Sequence, residues 1–227
     1  MINLFIGYDP RESLGYSVCV NSIIRHTTSP LAITPLSLKN LSDIYTENHT
    51  DGSTEFTYTR FLIPYLMNYT GWAIFMDSDI VTTTDINELW QCSKQHSDKA
   101  IICVHHDYKT KAGSKFFGSA NRDFYRKNWS SVMLINCAHP KNRVLTPKMI
   151  NSSTGAELHQ FTWLDDNDIG SLPIEWNWLV DEFGANDKAK IIHYSLGTPF
   201  LEEYKNTPMA DVWFKEQALL NDTGLSQ

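Results

Sequence analysis

The sequence predicts an α/β fold: a single domain with a mixed, mostly parallel central sheet flanked by helices. Three observations predict it. Short apolar runs such as Ile2–Ile6, Trp72–Met76 and Ala100–Val104 end abruptly at Gly or polar residues, the pattern of strands buried on both faces. Between such runs lie stretches whose apolar residues recur every three or four positions, the period of a helix with one buried face. The whole is 227 residues, of which 42% are hydrophobic and 20% charged, the length and mix of one soluble domain that needs no disulfide staples.

Taken in order, Ile2–Ile6 is the first strand, closed by Gly7. A helix is expected over Ser13–Arg25, with Tyr16, Val20, Ile23 and Ile24 on its inner face. Leu31–Leu38 alternates as a second strand. Residues 39–53 are rich in Asn, Asp, Ser and Gly and read as a loop. Glu55–Asn68 reads as a helix with Phe56, Phe61, Leu62, Tyr65 and Leu66 inward, bent or broken at Pro64. Gly71 introduces the strand Trp72–Met76, and further strands are expected at Ala100–Val104, Ser131–Ile135 and Lys190–His193. Residues 105–130 make a long polar and aromatic connection with several Lys and Arg, the size of a functional lid. Short helices are expected at Gly155–Trp163 and Asp211–Leu219. The expectation is one domain over 1–227, with a donor-binding half of about 1–100 and an acceptor and lid half of about 101–227.

Composition excludes several classes. Nineteen Lys and Arg against 26 Asp and Glu give a net charge of -7, so a general nucleic-acid binder with a basic face is not expected. A local phosphate site is compatible with that charge. No apolar run is long enough for a transmembrane helix, and Met1–Asp9 lacks the basic segment and cleavage site of a signal peptide. Cys19, Cys92, Cys103 and Cys137 are scattered among apolar neighbours, as reduced packing cysteines are, and a cytoplasmic setting follows as an expectation. On that expectation the N-x-S/T sequons at Asn48, Asn68, Asn128, Asn151 and Asn221 are composition only.

The most informative stretch is Trp72-Ala73-Ile74-Phe75-Met76-Asp77-Ser78-Asp79-Ile80-Val81. An apolar strand runs straight into two carboxylates. In extended chain, residues two apart face the same way, so Asp77 and Asp79 can approach one cation. Hard oxygen ligands suit Mg²⁺ or Mn²⁺, which keep positions open for phosphate oxygens. Two chemistries use such a motif. Sugar-nucleotide transferases hold a metal on a diphosphate with it, and haloacid-dehalogenase-type phosphatases use the first Asp as nucleophile. The phosphatase motif usually sits on the first strand, whereas two strands precede it here. A third class, a nucleotide-sugar binding module without turnover, shares the same residues.

A second constellation is Lys190-Ile191-Ile192-His193-Tyr194-Ser195-Leu196-Gly197-Thr198-Pro199-Phe200. It places a His at a strand end before a Gly-Thr-Pro turn. A neutral imidazole is a borderline ligand that suits Mn²⁺ better than Mg²⁺, and Gly197 lets backbone N–H groups approach a phosphate.

With these motifs in order, the chain resembles the GT-A glycosyltransferases, and within them family eight, which includes glycogenin and bacterial galactosyltransferases. The matching blocks are Phe5-Ile6-Gly7-Tyr8-Asp9, Tyr58-Thr59-Arg60-Phe61, Phe75-Met76-Asp77-Ser78-Asp79-Ile80, Asn128–Asn136 and His193-Tyr194. The resemblance runs from about residue 2 to 200. It implies a Rossmann-like sheet, a UDP-linked or other nucleotide-sugar donor, a hydroxyl acceptor such as a glycan, Mn²⁺ (or Mg²⁺), and transfer with retention. By the same resemblance Asp77, Asp79 and His193 hold the metal, and Tyr8, Asp9, Arg60, Asp77, Ser78 and Gly197 contact the donor. There are two departures. The Lys that the family places on the diphosphate is missing from the shorter turn, leaving Lys115, Arg122, Arg126 or Lys127 to supply the charge. The family's Asp-Gln signature is replaced by Leu158-His159-Gln160-Phe161-Thr162-Trp163-Leu164-Asp165-Asp166. The chain therefore reads as a divergent branch, of small bacterial or viral type.

An inverting mechanism needs a carboxylate base, for which Asp165 and Asp166 are the candidates; a helix cap or solvated loop is the plain alternative for these and for Asp168. Trp163, Trp176 and Trp178 are either sugar platforms or core. His105-His106-Asp107 follows a strand, where neighbours point to opposite faces, so a sugar-contact or structural role fits better than a second metal cluster. Ser130 and Asn136 either meet sugar hydroxyls or satisfy strand ends.

Overall fold

The computed structural model describes residues 1–47, 49, 52–111, 113–115 and 118–220. Its centre is a six-stranded sheet in the order β2-β1-β3-β8-β5-β9, made of β1 (Ile2–Tyr8), β2 (Leu31–Ser37), β3 (Trp72–Met76), β5 (Ile101–Val104), β8 (Val132–Asn136) and β9 (Ile169–Leu172). The pairs β1/β2, β1/β3 and β5/β9 are parallel, and β8 lies antiparallel between β3 and β5. The central strands are apolar on both faces, and two clusters form above and below them. Phe5, Phe61, Phe75, Met133 and Phe161 fill one, and Ile6, Ile23, Ile74, Leu89 and Leu134 the other. This is the predicted α/β architecture.

A smaller sheet matters more for function. β4 (Ile80–Thr82) leaves β3 after three residues and pairs antiparallel with β11 (Ile191–His193), which is flanked by β10 (Trp178–Leu179). The corner between β3 and β4 is Asp77-Ser78-Asp79. Helix α1 (Ser13–His26) packs across β4, close enough that a Cβ on Gly15 would lie 3.6 Å from the Ser78 carbonyl oxygen. The last helix, α7 (Ala210–Leu220), packs on α1.

The expected helix over Glu55–Asn68 is not one helix. A 3-10 turn at Thr59–Leu62 leads into a single turn, α2 (Ile63–Leu66), and the chain then leaves through Asn68 and Tyr69 at φ of 51° and 53°. Pro64 does not break it: it sits in the first turn, where a missing N–H costs nothing. Among the elements not anticipated are β4, β9 and α3 (Ile86–Gln95). Helix α3 starts at Asp85, whose side chain accepts from the Asn87 amide, and buries Ile86 and Leu89. Residues 105–130 form the expected long connection, with only a two-residue hairpin of β6 (Ser114–Lys115) and β7 (Ser119–Ala120) among its described residues.

Short helices α4 (Pro147–Ser152) and α5 (Gly155–His159) follow β8, and α6 (Val180–Phe183) follows β10. The expected helix at Gly155–Trp163 thus ends early, and Phe161 turns back at φ 51°. All four cysteines are free, with Cys19, Cys103 and Cys137 buried. Among the described residues no helix is long and apolar enough to cross a membrane.

Candidate active site

Three side chains meet where the two sheets join. Asp77 and Asp79 stand at the β3–β4 corner. His193 ends β11 and is paired across from Ile80, so the ladder that joins β4 to β11 also carries the imidazole to the aspartates. The Tyr194 amide continues it to the Asp79 carbonyl at 2.9 Å. One ligand atom from each of Asp77, Asp79 and His193 lies within 4.8 Å of the others. His193 Nε2 is 3.2 Å from Asp79 Oδ1, an oxygen that is buried and has no aligned hydrogen bond among the described residues. Two carboxylates and an imidazole form a donor set of the hard-to-borderline kind that Mn²⁺ or Mg²⁺ takes. The residues present therefore fit a divalent cation.

A shell of fixed contacts aims these groups. His193 Nδ1 is 2.8 Å from Asn177 Oδ1. Asn177 donates its own amide hydrogens to Ser131 Oγ at 2.8 Å and the Asn128 carbonyl at 3.2 Å, which identifies Oδ1 as the acceptor facing the ring. The imidazole thus holds its hydrogen on Nδ1 and offers Nε2 to the cluster. Burial, the largest influence, disfavours the charged ring, but Asp79, Asp77 and Asp181 outweigh it and raise its pKa above 6.5. Arg60 is buried. Its Nη1 lies 2.8 Å from Asp77 Oδ1 and donates to the Ser130 carbonyl at 2.9 Å, with its guanidinium 4.7 Å from the Phe75 ring centroid and 5.3 Å from that of Phe56. Burial presses its pKa down and the two aspartates oppose that.

The cluster opens into a cavity of about 640 Å³. Glu12, Arg60, Asp77, Asp79, His193 and Ser195 line it, together with Arg122, Ser130, His159 and Gln160. Ser130 Oγ and His159 Nδ1 share a hydrogen bond of 2.7 Å. Glu12 is pushed up to about 9, first by burial and then by the charges of Asp79, Asp9 and Asp77.

A family model for glycosyl transferase family 8 matches residues 20–198, well over half of the chain. The chain belongs to that family. Protein CDI of Arabidopsis thaliana is 42% identical to it over 227 residues, which cover 96% of this chain and 86% of that protein. Among solved structures, the glycosyltransferase GlyE of Streptococcus pneumoniae TIGR4 superposes with a TM-score of 0.65 at 16% identity, over 95% of this chain and 60% of GlyE. The galactosyltransferase LgtC, solved in complex with donor and acceptor sugar analogs, gives a TM-score of 0.60 at 10% identity over 96% of both chains. The bifunctional glycosyltransferase WbbM gives 0.62 at 16% identity over 96% of this chain. The chain spans 60% of GlyE and 52% of WbbM. At these identities the structures establish the shared GT-A fold and nothing finer.

Within this family-eight chain the other expected site residues fall in different places. Tyr8 lines a second cavity with Leu38, Lys39, Tyr45 and Glu55. Asp9 is fully buried and turned to the chain itself: it accepts from Arg11 Nε at 2.9 Å and from the Arg11 and Glu55 amides, and lines neither cavity. Ser78 is buried beneath the corner. Gly197 is not on the cavity wall. A Cβ there would lie 2.4 Å from the Tyr204 ring, and its amide bonds to the Tyr194 carbonyl, so tight packing explains this glycine.

Asp165 and Asp166 are 82% and 79% exposed, bound to Lys141 at 2.7 Å and to Arg126 respectively, and absent from the cavity wall. The Asp165 amide donates to Asp168, a capping arrangement. Trp176 is core, Trp163 and Trp178 are half-buried with their N–H groups on Asn142 and Gly184, and none lines the cavity. His105 stacks on Trp129 at 4.0 Å while His106 is buried on the other side. Asn136 ties the Ser97 and Lys99 carbonyls at a strand end.

Of the candidate lid cations, Arg126 is buried on the Gln160 and Phe161 carbonyls, Lys127 is bound to Asn121 and the Arg122 carbonyl, and Arg122 lines the cavity. The Lys115 side chain, Asn48 and Asn221 lie outside the described residues. Glu12, Asn177 and His159 were not singled out from sequence. An Asn enclosed by two tryptophans, Trp176-Asn177-Trp178, was the signal available for one of them.

Proposed function

We propose that this chain transfers a sugar from a nucleoside-diphosphate sugar, UDP-linked by the family resemblance, to a hydroxyl acceptor, with a divalent cation, Mn²⁺ or Mg²⁺, at Asp77, Asp79 and His193. The observation that carries the reading is the convergence of these three side chains in the lining of a cavity large enough for a nucleotide sugar. A cation bound there supplies Lewis-acid stabilisation of the charge that builds on the departing diphosphate.

The chain's own residues divide the remaining work. Arg60 holds Asp77 in place through a buried ion pair and neutralises part of the acidic cluster. Arg122, which lines the cavity and whose side chain makes no hydrogen bond or ion pair to another described residue, would meet the diphosphate in the role of the missing turn lysine. Ser130, His159 and Gln160 offer hydrogen bonds across the cavity, where the transferred sugar and the acceptor hydroxyl meet. Retention is the reading favoured. The two candidate bases, Asp165 and Asp166, point to solvent, which leaves the departing phosphate to take the acceptor's proton. The phosphatase alternative lacks support: the acid pair it would recruit is the same exposed pair.

Calorimetric titration with UDP and Mn²⁺ tests the reading. Asp79→Ala and His193→Ala are each expected to abolish Mn²⁺-dependent nucleotide binding. Arg122→Ala is expected to weaken the nucleotide and spare Mn²⁺. Unchanged affinity in either of the first two variants counts against the assignment.

A further inference from the structure

Glu12 is a buried carboxyl group on the cavity wall that the metal cluster does not use. It stands at the N-cap of α1 but makes no capping bond with its side chain. It is 8% exposed, and its Oε1 is buried with no hydrogen-bond partner among the described residues. The neighbouring cation in sequence, Arg11, is engaged by Asp9. A buried acceptor left unmatched is unfavourable, and in a site that opens to ligand it marks where a ligand's donor belongs.

The chemistry of that donor follows from the surroundings. Asp9, Asp77 and Asp79 surround Glu12 with negative charge, so a neutral donor suits its unmatched oxygen better than a further anion does. A nucleotide sugar carries, on either side of its diphosphate, a ring with neighbouring hydroxyls. These are neutral donors, and a carboxyl oxygen accepts from them whether or not the group carries a proton. We propose that Glu12 is a substrate-binding residue that accepts hydrogen bonds from hydroxyls of a donor sugar ring, either the ribose or the transferred sugar. The inference rests on the nucleotide-sugar reading above and names a recognition contact within it.

The two sources separate by binding experiments on the full chain with Mn²⁺. Wild type, Glu12→Ala and the milder Glu12→Gln are titrated with UDP, with 2′-deoxy- and 3′-deoxy-UDP, and with UDP-glucose and UDP-galactose. If the ribose is held, Glu12→Ala binds UDP about tenfold more weakly, and the deoxy analogue that costs wild type about tenfold costs the variant little. If the transferred sugar is held, UDP affinity is unchanged and a UDP-sugar loses about tenfold.

A carboxylate that merely repels the diphosphate gives the opposite sign: either variant then binds UDP and UDP-sugars as tightly as wild type or more tightly, and the proposal is overturned. Loss of Mn²⁺ affinity without nucleotide overturns it too, by placing Glu12 on the metal. Should Glu12→Ala not fold, Glu12→Gln reads the same signs with smaller changes. Failure of wild type to bind any of UDP, GDP, ADP or CDP with Mn²⁺ rejects the nucleotide reading itself, and this contact with it.

Discussion

His193 can serve a cation because its other nitrogen is occupied. Asn177 Oδ1 takes the Nδ1 hydrogen, and Ser131 and the Asn128 carbonyl hold Asn177 in the orientation that makes this possible. Outer partners of this kind are worth about ten- to a hundredfold in metal affinity. Asn177→Ala should therefore lower Mn²⁺ affinity by about that factor in calorimetric titration while every ligand remains. Affinity equal to wild type contradicts the role. Protons compete for the same nitrogen. The pKa of His193 is raised above 6.5, and an imidazole binds metal only when neutral. Affinity for Mn²⁺ is expected to level off above that raised pKa and to fall about tenfold per pH unit below it. Titrations between pH 6 and 8 check the sign, and a pH-independent affinity would remove His193 from the ligand set.

Elements place what residues do. The β3–β4 corner turns two aspartates toward one point, and β11 brings the imidazole to them by pairing with β4. Arg60 depends on its neighbours in the same way. Phe56 and Phe75 both pack on its guanidinium, and Phe56 reaches that position only because β1 carries Gly7, where a Cβ would sit 2.3 Å from the Phe56 ring. Gly7→Ala is expected to cost about 1–3 kcal/mol in denaturant unfolding, the usual cost of overfilling a packed site. It should also weaken nucleotide binding, because Phe56 and Arg60 both line the cavity. Stability and affinity both at wild-type values would refute the packing argument. The strand Trp72–Met76 was legible from its apolar run, and Ser13–His26 from its helical period. The stretch Glu55–Asn68 was not. Its aromatic and apolar residues pack as a 3-10 turn and a single helical turn against the sheet, and tertiary packing overrides the local period.

For the whole molecule, a net charge of -7 is compatible with the proposed diphosphate site because the relevant charge is local. Arg60 and Arg122 line the cavity, where the proposed cation would add its charge, and surface carboxylates such as Asp165 and Asp166 are spent on Lys141 and Arg126. Binding at this junction joins the two sheets through one ligand, so it should stabilise the fold as a unit. UDP with Mn²⁺ at about 100 times its dissociation constant adds about 2.7 kcal/mol, a rise of several degrees in Tm for a chain of this length. Asp79→Ala should abolish the rise, and a full rise in that variant would place the ligand elsewhere.

What the sequence determined by itself was everything written in short-range order. Strand periodicity, the Asp-x-Asp at a strand end, the His at another, and their order along the chain suffice for the fold class and the family. Only the tertiary structure decided what depends on distance between remote residues. It joined Asp79 to His193 across more than a hundred positions, set Arg60 on Asp77, and exposed Glu12 and Arg122 to the cavity. It also tied Asp9 to Arg11, packed Gly197 against Tyr204, and left Asp165 and Asp166 exposed at the surface. The physical reason is that a carboxylate's role is set by its burial and by the charges and donors around it. These come from elements that the chain brings together only when it folds.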